Sequence, residues 1–436
     1  MIEGLERTDA VRSRLGEFLP DWLLAALYAT AVAGFPIAAV LPSLVGLDPG
    51  VATMPYRALV VTMSGAIIVR WLFIPRRVCI GRYALWVALA WLLLLSRMLY
   101  DFNVQPMPLA LQPGEYFMLA IGTCLLPAIA MLESPTSATL RLGWQLATAG
   151  VTGAAVGLAL LLWRDGLGGV WLGRLSTEVL NPISLGYMGA SLCLLTLAAP
   201  APRGSIGWPG RSLRALARLL LFALGLVIVI AAASRGPMLS MLVAALAFNV
   251  VRADRRYVRG MLLRGLPLLA VVLLVGAGSA LLIQGATDLR PVDRVTGIID
   301  ESNAERRRLA GTAMQQFAER PLTGDAMVDR QKRDYPHNVL LEGGMALGIV
   351  GLIVVAAIVG SALSAAVRIL SSRREAAWLA LLAIQYVVAA FFSGSLFLSG
   401  SFWVLSVAAV AVATPRNSTT VLTAAEPGCT AGQAGA

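Results

Sequence analysis

Long apolar runs fill most of the chain, each separated from the next by a short polar or basic loop. A bilayer core about 30 Å thick takes roughly 20 helical residues. Runs of that kind begin near Trp22, Ala58, Tyr83, Glu115, Gly143, Val179, Leu213, Pro237, Leu263, Asn338, Ala376 and Leu396. The pattern predicts an all-α polytopic membrane protein of about 12 transmembrane helices. The seventh and eighth are divided at Ser234-Arg235-Gly236-Pro237, because an unbroken run over 213–251 is nearly twice the length of one crossing. The first run is followed by many others, so it reads as a span and not as a cleaved signal peptide.

One polar stretch breaks the rhythm. Residues 284–336 carry charges of both signs and form one large loop between spans nine and ten. Within it, Ser302 or Asn303 is the expected N-cap of a helix that places Arg306, Leu309, Ala313, Met314 and Phe317 at helical spacing. That helix should stop before Pro321, with Gly324 in the following turn. An amphipathic helix at the membrane surface fits the pattern. Asp325, just beyond, is expected to face solvent.

Charge then orients the spans. The net charge of +11 rests almost wholly on arginine, since Lys332 is the only lysine. Alternate loops collect Arg76, Arg77 and Arg82; Arg141; Arg203, Arg211 and Arg214; Arg252, Arg255, Arg256, Arg259 and Arg264; and Arg368, Arg373 and Arg374. The opposite short loops hold only Arg57, Arg164, Arg174 and Arg235. By the positive-inside rule both termini are cytoplasmic and the large loop is periplasmic in a Gram-negative inner membrane. The expected organisation is a cytoplasmic segment over 1–21, spans one to nine over 22–283, the periplasmic loop over 284–336, spans ten to twelve over 337–413, and a disordered cytoplasmic tail over 414–436. Arg70, towards the inner end of its span, is expected to snorkel to the headgroups. Arginines confined to inter-span loops are a topology signal and argue against nucleic acid as a partner; membrane lipids are the expected surroundings.

A mean hydropathy of +0.76 leaves few polar groups to carry chemistry. The four cysteines, Cys79, Cys124, Cys193 and Cys429, are too scattered for a disulfide framework or a metal site. There is no HExxH, GxSxG or phosphate-binding glycine loop, and acidic residues are almost missing from the spans, which weakens a proton-coupled transporter. What stands out is the single histidine, His337, in Tyr335-Pro336-His337-Asn338 just before span ten. Its near-neutral pKa suits proton exchange, although His337 or Asn338 also fits the simpler part of a helix cap. Arg235 reads either as a turn arginine reaching headgroups or as a functional group at a span end. Arg307 and Arg308 read as a solvated face. Arg97, Arg290 and Arg294 lie towards the same outer face as His337. An arginine cluster with one histidine suits a phosphorylated, and above all diphosphorylated, lipid.

Three pieces, in order, resemble the O-antigen ligase and polymerase superfamily of bacterial membrane glycosyltransferases. Ser234-Arg235-Gly236 is similar to its SRG turn, and Arg306 followed by Pro321-Leu322-Thr323-Gly324 to its arginine and PL-x-G element, with Ala310 where the family commonly has tryptophan. Pro336-His337-Asn338-Val339-Leu340-Leu341-Glu342, then Gly348-Ile349-Val350-Gly351, is similar to its HN-x-x-L…LG-x-x-G segment. The resemblance implies a cofactor-free, metal-independent transfer from an undecaprenyl-diphosphate-linked polysaccharide. His337, Arg235 and Arg306 would be catalytic. Substrate binding would fall to Arg235, Arg306 and Asn338, with Arg97, Arg290 and Arg294 beside them. A ligase hands the polymer to a lipid A-core sugar, a polymerase to another lipid-linked repeat, and an oligosaccharyltransferase to protein. The ligase is favoured, because the tail is short and the histidine element is close to the family pattern. A polytopic glycan transporter is the rival of a different class.

Overall fold

The computed structural model describes residues 21–47, 49–73, 76–79, 81–104, 111–165, 180–200, 208–252, 301–330, 333–415 and 420–422. Its helices are α1 (Trp22–Leu44), α2 (Pro49–Phe73), α3 (Arg82–Asn103), α4 (Pro113–Ala130), α5 (Ser137–Asp165), α6 (Pro182–Leu197), α7 (Trp208–Ala231), α8 (Arg235–Arg252), α9 (Glu301–Glu319), α10 (Val339–Ser372), α11 (Ala377–Ala390) and α12 (Gly400–Ala413). Each expected run except the one from Leu263 coincides with a helix. That run, Arg290, Arg294, residues 1–20 and residues 423–436 lie outside the described residues.

Among the described residues, six helices are long and apolar enough to cross a membrane: α1, α3, α4, most of α5, the apolar part of α7, and α10. This is fewer than the crossings expected, for local reasons. Pro55, Arg57 and Arg70 dilute α2. Helices α6 and α12 are apolar but shorter. Between α11 and α12 the chain leaves helical form over 391–399, and residues 394–397 are buried within the protein. Non-helical backbone at such depth is tolerated where protein covers it. The Glu342 carboxylate meets this need, accepting hydrogen bonds from the Leu396 amide and the Ser395 hydroxyl, both at 2.8 Å.

Large aromatic side chains close the interior. Tyr28 meets Trp378 edge-on at 6.0 Å between ring centres, and Trp91 meets Trp403 at 5.0 Å. At 34 residues, α10 would be roughly 51 Å long if straight, far more than a bilayer core. It breaks at Gly348, whose φ of +68° is a conformation that favours glycine. The piece before the break is buried from Glu342 onward, and the piece after it exposes Ile349, Val350 and Ile353.

Two expectations fail at the other end of the molecule. Arg70 does not snorkel: it is fully buried, donating to both oxygens of Glu133 at 2.6 Å, while Trp71 Nε1 adds a 2.9 Å bond to the same carboxylate. A carboxylate on a neighbouring element offers a charged arginine a better partner than distant headgroups. The tail is not without structure either. Thr420–Leu422 pairs antiparallel with Arg76–Val78, which brings the tail to the loop between α2 and α3.

Candidate functional site

Helix α9 ends before Pro321 as its sequence predicts, and starts at Glu301, slightly ahead of the expected caps Ser302 and Asn303. Leu309, Ala313 and Gln316 are buried on one face while Arg307 and Arg308 are exposed. The buried face is not free to lie on a bilayer. Phe317 sits against Gly344 of α10, where an added Cβ would approach the ring to 3.4 Å.

The turn after α9 locks onto the break in α10. The Ile349 amide donates to the Pro321 carbonyl at 2.7 Å, and the Asp325 amide donates to the Met345 carbonyl at 2.7 Å. A Cβ on Gly348 would come within 2.5 Å of the Leu322 carbonyl oxygen, so the backbones touch only because the side chain is missing. The PL-x-G and LG-x-x-G elements are therefore two sides of one contact.

Asp325 is 3% exposed and not the solvent-facing residue expected. Its carboxylate takes Gln316 Nε2 at 2.9 Å and Arg330 at 2.6 Å, with Arg320 at 3.3 Å. Arg97 of α3 donates to Asp101 at 2.5 Å and to the Asp325 carbonyl, and Asp101 accepts the Met327 amide at 2.9 Å. Arg97 was expected to bind substrate. Its contacts instead make it a clamp between α3 and the loop, because one terminal nitrogen, Nη2, holds both the Asp101 carboxylate and the Asp325 carbonyl.

From this clamp the chain climbs to the histidine. Arg333 and His337 both adopt left-handed backbone, at φ +61° and +55°, conformations that cost energy for residues other than glycine and that cluster at functional sites. Asn338 then caps α10, its Oδ1 accepting from the Leu340 and Leu341 amides at 3.0 and 3.2 Å. The cap commits that oxygen to the helix, which leaves Asn338 only its amide nitrogen for a substrate. The His337 ring stands edge-on to Tyr335 at 4.5 Å. Its Nε2 lies 3.8 Å from Asp334, and its Nδ1 is buried without a hydrogen-bond partner.

His337 and Tyr335 line a cavity of about 470 Å³. Its other walls include Tyr56 and Arg57 of α2, Asn181 and Tyr187 of α6, and Tyr386 of α11. Ala31 and Thr123, which also line it, belong to the π-helical turns of α1 and α4. Such turns widen a helix locally and occur often at functional sites. Arg306 approaches closely enough to act electrostatically on Tyr187, Tyr335 and His337. Ala233, at φ +45°, ends α7, and Arg235 opens α8 half-buried. The Gly236 beside it packs on Tyr187, whose hydroxyl pairs with Ser393 at 2.9 Å. All three sequence pieces thus meet around Tyr187 and His337.

Burial lowers the His337 pKa from its ordinary 6.5; the Asp334 carboxylate opposes the shift and Arg306 reinforces it. A lowered pKa keeps the imidazole neutral at pH 7, the form that accepts a proton. Burial, with Asp334 next, pushes the Tyr335 hydroxyl up to about 12, so it stays protonated as a hydrogen-bond donor. Among the described residues no group of three or more His, Cys, Asp or Glu gathers in a way that could hold a metal ion. The arrangement brings Arg57, tyrosine hydroxyls and one basic imidazole to one open cavity, with Arg306 close by.

Sequence reasoning missed Arg57, Tyr187 and Tyr386, and read Tyr335 only for its backbone. Arg57 was placed in an outer loop; it lies inside α2 with its side chain on the cavity. Nothing in its local sequence distinguishes it, since its neighbours in space come from distant parts of the chain.

Residues 220–356 match the family model described as O-Antigen ligase. The matched segment contains Arg235, Arg306 and His337, together with the break at Gly348. No curated protein matches the chain. The match, from α7 to the middle of α10, makes this part of the protein similar to the O-antigen ligase family.

Proposed function

We propose that the protein is an O-antigen ligase, moving polysaccharide from undecaprenyl diphosphate to a sugar hydroxyl of a lipid A-core acceptor at the periplasmic face. The reading is supported by one observation above others: a half-buried, neutral-leaning His337 shares a cavity with Arg57 and lies within the field of Arg306. In the transfer, the acceptor hydroxyl oxygen attacks the anomeric carbon. The bond to the diphosphate breaks, and the diphosphate leaves with the bonding electrons. The hydroxyl proton passes to His337. A single displacement of this kind inverts the anomeric centre.

Cations carry the leaving group. Arg235 and Arg306 bear the developing charge on the diphosphate through paired, charge-assisted hydrogen bonds, the task that a metal ion performs in other transferases. Arg57 lines the His337 cavity and adds a third positive charge. Asp334, 3.8 Å from His337 Nε2, stabilises the imidazolium once the proton has arrived. Deleting the gene and examining lipopolysaccharide on a silver-stained gel separates the members of the superfamily. Core without polymer, with lipid-linked polymer accumulating, is the ligase result. Core bearing a single repeat would make the protein a polymerase.

A further inference from the structure

A second polar groove lies at the opposite end of α6. Asn181 at the start of α6 lines the His337 cavity, whereas Thr196 and Pro200 at its far end line a separate cavity of about 680 Å³. Helix α6 has 16 residues, so roughly 24 Å separates the two. The side walls of this groove come from α5 and α7. Arg141, Gln145 and Thr148 fall on one face of α5, and Arg214, Arg218 and Leu221 fall on one face of α7.

Three arginines therefore converge on one groove. None of its described lining residues is acidic, and among the described residues no carboxylate pairs with Arg141, Arg214 or Arg218. Arg141 Nε and Thr148 Oγ1 are buried with no hydrogen-bond partner. The unpaired buried donors are costly and three neighbouring cations repel one another, so the arrangement calls for an anion that supplies acceptors. Depth decides which anion. Arg141 lies just inside the apolar span that begins at Ser137, and Arg214 just inside the one that begins at Ser212. Helix α7 is the least buried of the spans, and Leu216 and Leu220 beside the groove are exposed. Phosphate oxygens at headgroup depth, with acyl chains running along exposed leucines, satisfy both the charge and the apolar surface.

We propose that this groove binds the phosphate of an anionic phospholipid, in the leaflet opposite to the one His337 faces. The arginine asymmetry makes that leaflet the cytoplasmic one. The site is independent of the transfer reaction, because it shares no lining residue with the His337 cavity.

The test uses the full-length protein purified in detergent and native mass spectrometry, with phosphatidylglycerol, cardiolipin, phosphatidylcholine and inorganic phosphate as probes. The wild type should retain the two anionic lipids over phosphatidylcholine, and an Arg214→Gln/Arg218→Gln variant should lose about tenfold of that retention, the usual weight of a charged hydrogen-bond contact. Both residues are exposed on α7, so the variant should fold. An Arg307→Gln/Arg308→Gln protein, carrying the same charge change at the other end, should bind lipid like the wild type. Equal retention by the wild type and the α7 variant would overturn the site. An equal loss in both variants would reduce the effect to net charge and overturn it too. Displacement of the lipid by inorganic phosphate at matched concentration would assign the groove to a soluble anion instead.

Discussion

Two groups of arginines stand at the same end of the fold as His337, and they are wired in opposite ways. Under the loop after α9, Arg97, Arg320 and Arg330 all meet carboxylates, those of Asp101 and Asp325. Around the His337 cavity, Arg57 and Arg306 face tyrosines and an imidazole, and among the described residues no carboxylate pairs with either. In the first group every arginine is answered by a carboxylate of the fold, and the product is a loop tied to α3 and α9. In the second it is left for something that arrives. An arginine in a membrane protein is thus read by its partners and not by its depth.

The contrast is broken most readily at the cavity. Arg306→Ala, His337→Ala and Arg235→Ala should each lower polymer transfer by about 100-fold or more, the scale on which removing a preorganised charge stabiliser acts. The melting temperature of Arg306→Ala in detergent should stay close to the wild type, since among the described residues no carboxylate pairs with Arg306. Lysine at Arg306 should recover little, because a point charge cannot make a forked contact.

The clamp should behave the other way round. Asp325→Ala leaves the half-exposed Arg320 and Arg330 without their shared carboxylate and the buried Gln316 amide without its acceptor, and an orphaned buried donor costs about 1–3 kcal/mol. The expected signature is a lower melting temperature and a smaller folded yield, while the molecules that do fold keep the wild-type KM for donor. Asp325→Ala protein that melts like the wild type and loses only transfer would erase the distinction between the two groups.

A smaller effect belongs to Arg57. If it holds the same diphosphate, Arg57→Gln should raise the donor KM about tenfold, with kcat nearly kept. A raised acceptor KM at constant donor KM would move Arg57 to the acceptor side. The subtlest test is pH. With the His337 pKa below its ordinary 6.5, the rate should fall on the acid side only once the pH drops below that value. Asp334 raises this pKa, so Asp334→Asn should carry the acid limb to still lower pH. A limb that moves upward would give Asp334 a different role.

The two groups also differ in how much of them the sequence announces. Apolar periodicity locates most of the helices, and Pro321 and Gly324 mark the end of α9 and its turn, because these signals are local. The Ser234–Pro237 break is local as well. Motif resemblance singles out Arg235, Arg306 and His337. The clamp is not legible: Arg97 and Asp325 are 228 positions apart, and only the fold shows that they occupy each other. The buried pair of Arg70 and Glu133 is hidden for the same reason. Glycine has its own blind spot. Gly348 lies in an apolar run that reads as one continuous span, and its role in admitting the Pro321 and Leu322 carbonyls depends on contact with a distant turn.

The central claim is that this cavity moves a preformed polymer onto lipid A-core. The most direct test reconstitutes the purified full-length protein with undecaprenyl-diphosphate-linked polysaccharide and lipid A-core, and follows both lipids on one gel. The account predicts that polymer appears on the lipid A-core with the wild type and fails to appear with His337→Ala. Growth of the lipid-linked chain with the core left bare, or transfer undiminished by His337→Ala, would contradict it.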